Sequence, residues 1–307
     1  MGEGMKKYIK IMRIDHWIKQ LFIIPGFICA LYLGKFAFST SIIIRLLFGL
    51  LATSFIASAN YVINEYLDME FDKYHPIKKK RALVQEKVNG KIIWMMWFFL
   101  GLCGLLLGYF GLGRNFFFME VLLLIMGILY NVKPFRAKEL FLIDVLSESV
   151  NNAIRFLLGW FILPIHIIIP ISVVLGYWMG GAFLMAIKRY AEYRMIDDKK
   201  KASLYRKSFQ YYNEKLLLTS AFFYSMCSIF FIGIFLIKYR IELILVIPFV
   251  VGLFCYYFYI SFEKDSAVQR PEKLYKEKGL MIYCIFLVIL FAVLMNVRIP
   301  WLDIFNR

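Results

Sequence analysis

Four polar side chains recur every four residues where a long apolar run ends: Asn60, Asn64, Asp68 and Asp72. This spacing places them on one face of a helix, with about 6 Å between neighbours. Carboxylate and amide oxygens on one face suit Mg²⁺, which proteins usually hold with one or two carboxylates and the phosphate oxygens of a substrate. The spacing therefore predicts a catalytic magnesium site formed by Asn64, Asp68 and Asp72, with Glu65 as a further candidate ligand.

A dense run of basic residues follows this face between residues 73 and 81. Pro76 disfavours helical conformation at the residue before it, so we expect the helix to end there, at one edge of a membrane. Cations beside a metal site are what a pyrophosphate group needs. We therefore predict that Lys78 and Arg81 bind phosphate, whereas the lysines between them are explained equally well as solvated charges.

The two stretches together resemble a known family. Residues 64–72 (NEYLDMEFD) are similar to the first NDxxDxxxD signature of the UbiA superfamily of membrane prenyltransferases, with Glu65 in place of the usual second Asp. Residues 72–82 (DKYHPIKKKRA) look like the DxxHPxKxxRP of its polyprenyl-phosphate (decaprenyl-phosphate-type) phosphoribosyltransferases, with Ala82 in place of the usual Pro. The resemblance implies a bundle of transmembrane helices that uses Mg²⁺.

Further segments extend the resemblance along most of the chain. They are residues 13–20 (RIDHWIKQ), residues 130–136 (YNVKPFR) with Asp144 beyond them, and residues 188–192 (KRYAE). An Arg also falls in the span after the second segment, as in the family. The resemblance implies that the following residues bind substrate or phosphate: Lys19, Lys78, Arg81, Tyr130, Lys133, Arg155, Lys188, Arg189, Tyr190 and Glu192.

The stretch at residues 188–192 distinguishes two reactions of the superfamily. Enzymes that move a prenyl group carry a second acidic motif here, which holds a second Mg²⁺. This chain has one carboxylate, Glu192, four residues after Lys188 and near Arg189. Cations that bind phosphate oxygens directly suit phosphoribosyl pyrophosphate as donor or an anionic lipid as acceptor. An ion pair between Lys188 and Glu192 is the structural alternative.

Phosphoribosyl transfer from phosphoribosyl pyrophosphate to a polyprenyl phosphate is therefore the favoured prediction. Prenyl transfer from a prenyl diphosphate to an aromatic or other small acceptor is the first alternative. A transporter is a distant one, because the polar residues gather at one membrane face and not near mid-bilayer. Lys133, Arg136 and Lys138 share one short loop, and they either contact phosphate or only orient the chain.

Arg155 lies inside a predicted span, where a charge is costly, so it is expected to face the bundle interior with a partner. Arg45 lies near the start of its span and is expected to reach the outer interface.

Composition assigns the chain to the membrane proteins. Of its 307 residues 61% are hydrophobic and 19% are charged, whereas soluble proteins average about 45–50% and about 25%. The net charge of +16 does not indicate nucleic-acid binding, because the basic residues lie in short loops between apolar runs. The five cysteines stand alone in apolar runs, which argues against a zinc site or a disulfide framework.

Stretches of about 20 apolar residues predict about nine transmembrane helices in one all-α domain over residues 1–307. The first 20 residues have no apolar core, so no cleavable signal peptide is expected. Alternate loops hold 29 of the 37 Lys and Arg residues, which places them and the N-terminus in the cytoplasm. We expect a bacterial or archaeal plasma membrane with the active site at its cytoplasmic face. The predicted spans are 21–39, 41–66, 91–111, 115–132, 140–163, 166–187, 215–237, 240–262 and 279–297.

Overall fold

A computed structural model describes residues 8–85, 88–196, 198–263, 266–269, 274 and 276–302. Within these ranges the regular structure is helical and no β-strand is present, as the all-α prediction requires. The chain divides into two compact units, Met1–Ile169 with Ile196–Tyr212, and Pro170–Met195 with Asn213–Arg307. The single domain over residues 1–307 stays a prediction.

The α-helices follow one another along the chain, and two of the 3₁₀ helices among the described residues, Ile14–Ile23 and Ile241–Val246, continue directly into an α-helix. The first of these leads into α1, and the apolar segment that could cross a membrane runs from Tyr8 to Leu33, with a turn at residues 12–13 where Arg13 has a positive φ of 52°. The α-helices are α1 (Ile24–Leu33), α2 (Thr40–Asp72), α3 (Ala82–Gln85), α4 (Gly90–Gly111), α5 (Arg114–Asn131), α6 (Ile143–Phe161), α7 (Ile171–Met195), α8 (Lys199–Tyr205), α9 (Glu214–Tyr239), α10 (Ile247–Ile260) and α11 (Lys278–Asn296).

Helix α2 is long enough to carry the acidic face beyond the apolar part of a bilayer. It has 33 residues, which span about 50 Å at 1.5 Å per residue, whereas a bilayer core is about 30 Å thick. The Ser39 side chain caps its first turn by accepting from the Ile42 amide at 3.4 Å. The last three turns can therefore present Asn64, Asp68 and Asp72 at the membrane surface, where ions and soluble substrates are accessible.

Helices α1 and α6 of the first unit approach each other closely because glycines meet the opposing backbone. A Cβ at Gly26 would lie 1.9 Å from the Phe156 carbonyl oxygen, and one at Gly159 would lie 2.0 Å from the Ile23 carbonyl oxygen. Small residues allow such backbone contact between membrane helices. In the second unit, α7 packs along α9, where Ser228 donates to the Gly176 carbonyl oxygen at 2.8 Å.

Eight described segments are long and apolar enough to cross a membrane. The predicted span at residues 140–163 is not among them; it corresponds to α6, which has 19 residues. It falls short on composition because Asp144, Glu148 and Arg155, with two asparagines between them, interrupt its apolar residues. The same polar residues make α6 the helix of most interest for chemistry inside the bundle.

Two boundaries differ from the sequence prediction. The first span begins at Tyr8 and not near residue 21, because its polar residues bind α2: Ser58 donates to the Met12 carbonyl oxygen and accepts from Trp17, both at 2.9 Å. Helix α2 ends at Asp72 and not at His75, because the His75 ring accepts from the amides of two following residues, each at 3.1 Å, and closes a turn.

Candidate active site

The polar face of α2 is held in place by α5. The Asn64 side-chain amide donates to Asp68 at 3.3 Å and to Asn131 at 2.5 Å, and Asn131 donates in turn to the Gly127 carbonyl oxygen at 2.8 Å. Asn64 and Asp68 therefore share one face, as the spacing of four predicts. The amide nitrogen of Asn64 does the donating, so its oxygen is oriented away from these partners and is suited to bind a cation.

Asp68 is bound by two cations from the loop between α5 and α6. Lys138 and Arg136 both donate to its Oδ1 atom, Arg136 at 3.2 Å. Lys138 also donates to Asn131 at 2.8 Å, and the Arg136 guanidinium stacks 4.7 Å from the Phe71 ring. Burial lowers the pKa of the Lys138 ammonium to about 8, although the adjacent Asp68 acts in the opposite direction. The loop thus contributes two buried phosphate-binding candidates.

Asp72 is bound by Arg81, which returns to α2 after the turn at Pro76. The Arg81 guanidinium lies 2.5 Å from Asp72, whose side chain is 2% exposed. Burial alone would lower the pKa of Arg81, but the carboxylates of Asp72 and Glu65 raise it. Glu65 is buried as well. Arg81 therefore belongs to this site, and Glu65 contributes negative charge to it.

The last residue of α8 and the residues that follow it also line the site. Lys207 donates to Glu139 at 2.8 Å, and Arg136 donates to the other oxygen of Glu139 at 2.5 Å. Burial would raise the pKa of Glu139, but these two hydrogen bonds lower it. Tyr205 accepts from Lys78 and packs against its ammonium, which lies 4.8 Å from the ring centre.

A buried carboxylate fixes this segment to the first turn of α6. Asp144 is fully buried and accepts from Ser208 at 3.1 Å and from Tyr212 at 2.7 Å. Arg206 lies 3.6 Å from the same carboxylate and donates to the Tyr130 hydroxyl at 3.4 Å. Asp144 therefore determines where Arg206 lies.

The charged side chains surround a cleft that is partly open to solvent. Its lining contains three carboxylates and four cations, and Arg81 and Lys78 add two more cations beside Asp72. Such a cleft suits a ligand with several phosphate groups, because the cations attract the phosphate oxygens, which the carboxylates alone would repel. The lining residues are Asp68, Phe71, Asp72, Arg136, Lys138, Glu139, Tyr205, Arg206 and Lys207.

The oxygen donors of the cleft fit a magnesium ion. Asn64, Asp68 and Asp72 offer one amide and two carboxylates on successive turns, the donor set that Mg²⁺ takes when substrate phosphates complete its shell. The described residues contain no group of three or more His, Cys, Asp or Glu side chains that could hold a metal ion.

Other predicted site residues of the first unit lie outside the cleft lining. Lys133 is exposed, and Lys19 is hydrogen-bonded to His16 at 2.8 Å. Tyr130 donates to Glu148 at 2.8 Å and accepts from Arg206, a residue of the cleft lining, at 3.4 Å. Arg155 has a partner inside the bundle, as expected, because it donates to Gln20 at 3.0 Å.

The remaining predicted residues lie on α7 in the second unit. Arg189 donates to Glu192 at 3.0 Å, and both side chains are buried. The ion pair of Lys188 with Glu192 stays a prediction. Tyr190 is buried and accepts from Arg194 at 3.2 Å. Glu192 is thus neutralised by a neighbouring guanidinium.

Sequence reasoning did not single out several residues of the cleft. For Arg136 and Lys138 the sequence leaves two roles open, phosphate binding and orientation of the chain, and it does not predict that both residues form ion pairs with Asp68. Asn131 carried no signal of its own, because its role depends on a contact 67 positions away in the chain. The others are Glu139, Tyr205, Arg206 and Lys207, which belong to none of the motifs found in the sequence.

Comparison with known proteins identifies the fold and confirms the resemblance. Residues 22–290 match the model of the UbiA prenyltransferase family. A solved structure of a UbiA homolog from Archaeoglobus fulgidus bound to GPP and Mg²⁺ superposes with a TM-score of 0.69. That match is 20% identical in sequence and covers 94% of this chain and 99% of the homolog.

Two curated proteins are also similar. Decaprenyl-phosphate phosphoribosyltransferase of Mycobacterium tuberculosis is 24% identical over 209 residues, which cover 68% of this chain and 67% of that protein. The uncharacterized protein y4nM of Sinorhizobium fredii is 28% identical over 158 residues. This second match covers 50% of the chain but only 28% of the length of that relative.

Proposed function

The chain belongs to the UbiA prenyltransferase family, and we propose that it transfers 5-phosphoribosyl from phosphoribosyl pyrophosphate to a polyprenyl phosphate, releasing pyrophosphate. It is an integral membrane transferase. One observation carries the proposal: Asp68 and Asp72 line a cleft together with four cationic side chains. A donor with a pyrophosphate and a separate 5-phosphate can use both sets of groups.

The carboxylates and the cations have separate roles in this account. Asn64, Asp68 and Asp72, with Glu65 close to Arg81, would hold Mg²⁺ against the pyrophosphate of the donor. When bound, Mg²⁺ neutralises the charge that develops on the leaving group. Arg81, Arg136 and Lys138 would then exchange a carboxylate partner for phosphate oxygens of the donor, which form charge-assisted hydrogen bonds with both guanidinium and ammonium groups.

The transfer needs no general base from the protein. An oxygen of the acceptor phosphate, already an anion near neutral pH, forms a bond to C1 of the ribose as the bond from C1 to pyrophosphate breaks. The product is a polyprenyl-phosphate-linked 5-phosphoribose. The side chains contribute position and electrostatic stabilisation, which are the main sources of catalysis when no proton has to move.

Two observations favour this reaction over prenyl transfer. The stretch at residues 188–192 has a single carboxylate, Glu192, whereas the first polar stretch offers two aspartates and an asparagine on one helix face. A curated relative that covers 68% of the chain is named a decaprenyl-phosphate phosphoribosyltransferase. Lys188, Arg189 and Tyr190, with Lys19 and Lys133, remain candidate phosphate ligands. The cytoplasmic location of the cleft is likewise proposed, from the distribution of Lys and Arg.

Product formation by the purified protein in detergent tests the proposal. The substrates are ribose-labelled phosphoribosyl pyrophosphate, a polyprenyl phosphate and Mg²⁺, and we expect a labelled lipid. Asp68→Ala should abolish the product, because it removes a metal ligand and leaves Lys138 without its carboxylate. Glu70→Ala is the matched control, since Glu70 is an exposed carboxylate on the same helix. Turnover of a prenyl diphosphate with an aromatic acceptor, and no labelled lipid, would overturn the proposal.

A further inference from the structure

Helix α6 carries a stripe of polar side chains from the cleft into the apolar part of the bundle. Asp144, Glu148, Asn151, Asn152 and Arg155 follow at spacings that keep them on one side of the helix. The stripe begins beside the cleft, where Tyr130 donates to Glu148. It ends at Arg155, about 10 Å further along the axis at 1.5 Å per residue. Polar side chains at such a depth indicate a functional site.

Arg155 contacts only neutral groups. Its guanidinium donates to the Gln20 side-chain oxygen at 3.0 Å, to the Asn151 carbonyl oxygen at 3.3 Å and to the Asn152 side-chain oxygen at 3.4 Å. In the part of the chain that the structure describes, Arg155 takes part in none of the recorded ion pairs. The positive charge therefore lacks a counter-ion from these residues.

Arg45 shows how the same fold compensates a guanidinium in a span. It donates to the carbonyl oxygens of Ile162 at 2.8 Å and Leu112 at 3.3 Å. These residues cap the C-terminal ends of α6 and α4, where the helix dipole is negative. Arg155 lies within α6, away from its ends, and has no such compensation. This difference points to a ligand and not to a structural role alone.

A buried hydrogen-bond donor beside Arg155 is also unused. Gln20 is 1% exposed, and its Nε2 atom has no hydrogen-bond partner among the described residues. This atom adjoins the guanidinium, because the oxygen of the same amide accepts from Arg155. An unpaired buried donor is costly, so Nε2 of Gln20 is expected to meet a hydrogen-bond acceptor on a ligand.

We propose that Arg155 and Gln20 form an anion-binding site for the phosphate of the polyprenyl phosphate acceptor, a subsite that rests on the function proposed above. Phosphate oxygens would accept from the guanidinium and from Nε2 of Gln20, and their negative charge would neutralise Arg155. The site lies deeper along α6 than the cleft, among apolar helices, so a phosphate carried on a lipid fits it better than a soluble phosphate.

Equilibrium binding of three probes to the full-length protein in detergent tests the site. The probes are geranylgeranyl phosphate, geranylgeraniol and inorganic phosphate. Arg155→Gln removes the charge, whereas Gln20→Glu removes the free donor and places a carboxylate beside Arg155. Each should weaken geranylgeranyl phosphate binding by about tenfold or more, the effect of losing a charge-assisted hydrogen bond. Arg45→Gln is the matched control and should bind this probe as the wild type does.

Three results would overturn the proposal. The first is that both Arg155→Gln and Gln20→Glu bind geranylgeranyl phosphate as tightly as the wild type does. The second is that geranylgeraniol binds as tightly as geranylgeranyl phosphate. The third is that inorganic phosphate binds as tightly as geranylgeranyl phosphate. Thermal unfolding of each variant identifies a loss of binding that is due to misfolding. Gln20→Glu supplies the answer if Arg155→Gln does not fold.

Kinetics separate this proposal from the reaction itself. If phosphoribosyl transfer occurs, Arg155→Gln should raise the KM for the lipid and leave the KM for phosphoribosyl pyrophosphate unchanged. A lipid KM equal to that of the wild type would contradict the subsite and leave the transfer reaction intact. If no phosphoribosyl transfer occurs, Arg155-dependent binding of geranylgeranyl phosphate would still support the anion site.

Discussion

At the scale of single residues, Asp68 has the most constrained surroundings in the cleft. One of its oxygens accepts from Lys138 and Arg136, and the other accepts from Asn64. The carboxylate of Asp68 is thus in direct contact with two positively charged groups. A bound pyrophosphate with its metal ion can take up both, because the metal pairs with the carboxylates and the phosphate oxygens pair with the cations.

Lys138→Gln tests whether these cations bind the donor. We expect the KM for phosphoribosyl pyrophosphate to rise by about tenfold or more, because a buried charge-assisted contact is lost. Lys79→Gln is the matched control, since Lys79 is exposed. Steady-state kinetics with varied donor concentration measures both variants. A donor KM in Lys138→Gln equal to that in Lys79→Gln would show that Lys138 only orients Asp68.

The spacing of residues within one helix predicts the carboxylates of the site but not the cations that bind them. Asn64, Asp68 and Asp72 lie on α2, so helical periodicity alone predicts their common face. Lys138 lies 70 positions from Asp68 in the chain, and no local pattern encodes that contact. The position of Arg81 in the site could be predicted, because it lies only nine positions after Asp72 in the chain.

At the scale of helices and loops, Asp144 connects α6 to the segment that carries Arg206. It is buried, and its oxygens accept from Ser208 and Tyr212. Tyr212 also accepts from the Leu142 amide at 3.0 Å, which fixes the same segment to the start of α6. The cleft therefore has its shape only if this junction is intact.

Asp144→Ala should disrupt the junction. It leaves two buried hydroxyl groups without their acceptor, so we expect the free energy of unfolding to fall by about 1–3 kcal/mol. Loss of Arg206 from the cleft should raise the donor KM as well. Glu70→Ala is the control, because Glu70 is an exposed carboxylate on α2. Equal thermal stability of wild type and Asp144→Ala would contradict the junction.

Sequence reasoning located the helices better than it located their ends. Apolar runs indicated every span, but residues 8–20 join the first helix because of contacts to Ser58, which composition cannot show. The polar stripe of α6 reduces its apolar character and yet is the most informative part of it. Periodicity could have revealed this stripe, because its five members lie on one side.

At the scale of the whole molecule, the distribution of Lys and Arg predicts which face of the membrane holds the cleft. The basic loops include residues 73–81 and 133–138, which supply Lys78, Arg81 and Lys138 to the site. The same cations that we propose to bind phosphate would therefore also retain these loops in the cytoplasm. One set of residues would serve both insertion and catalysis.

Labelling of single cysteines from outside intact cells tests this orientation. In a variant without the native cysteines, Lys79→Cys should react with an impermeant maleimide only after the cytoplasmic face is opened. Ala37→Cys, in the exposed connection between α1 and α2, should react in intact cells. The reversed pattern would place the cleft outside and would contradict a donor drawn from the cytoplasm.

The fate of each part of the donor tests the central claim most directly. Wild-type protein is incubated with Mg²⁺, a polyprenyl phosphate, and phosphoribosyl pyrophosphate labelled separately in the ribose and in the terminal phosphate. We predict that the ribose label enters the lipid, that the terminal phosphate label leaves as pyrophosphate, and that the lipid gains the mass of one phosphoribosyl group. The proposed reaction would be contradicted if the mass of the polyprenyl phosphate does not change while the same protein preparation turns over a prenyl diphosphate.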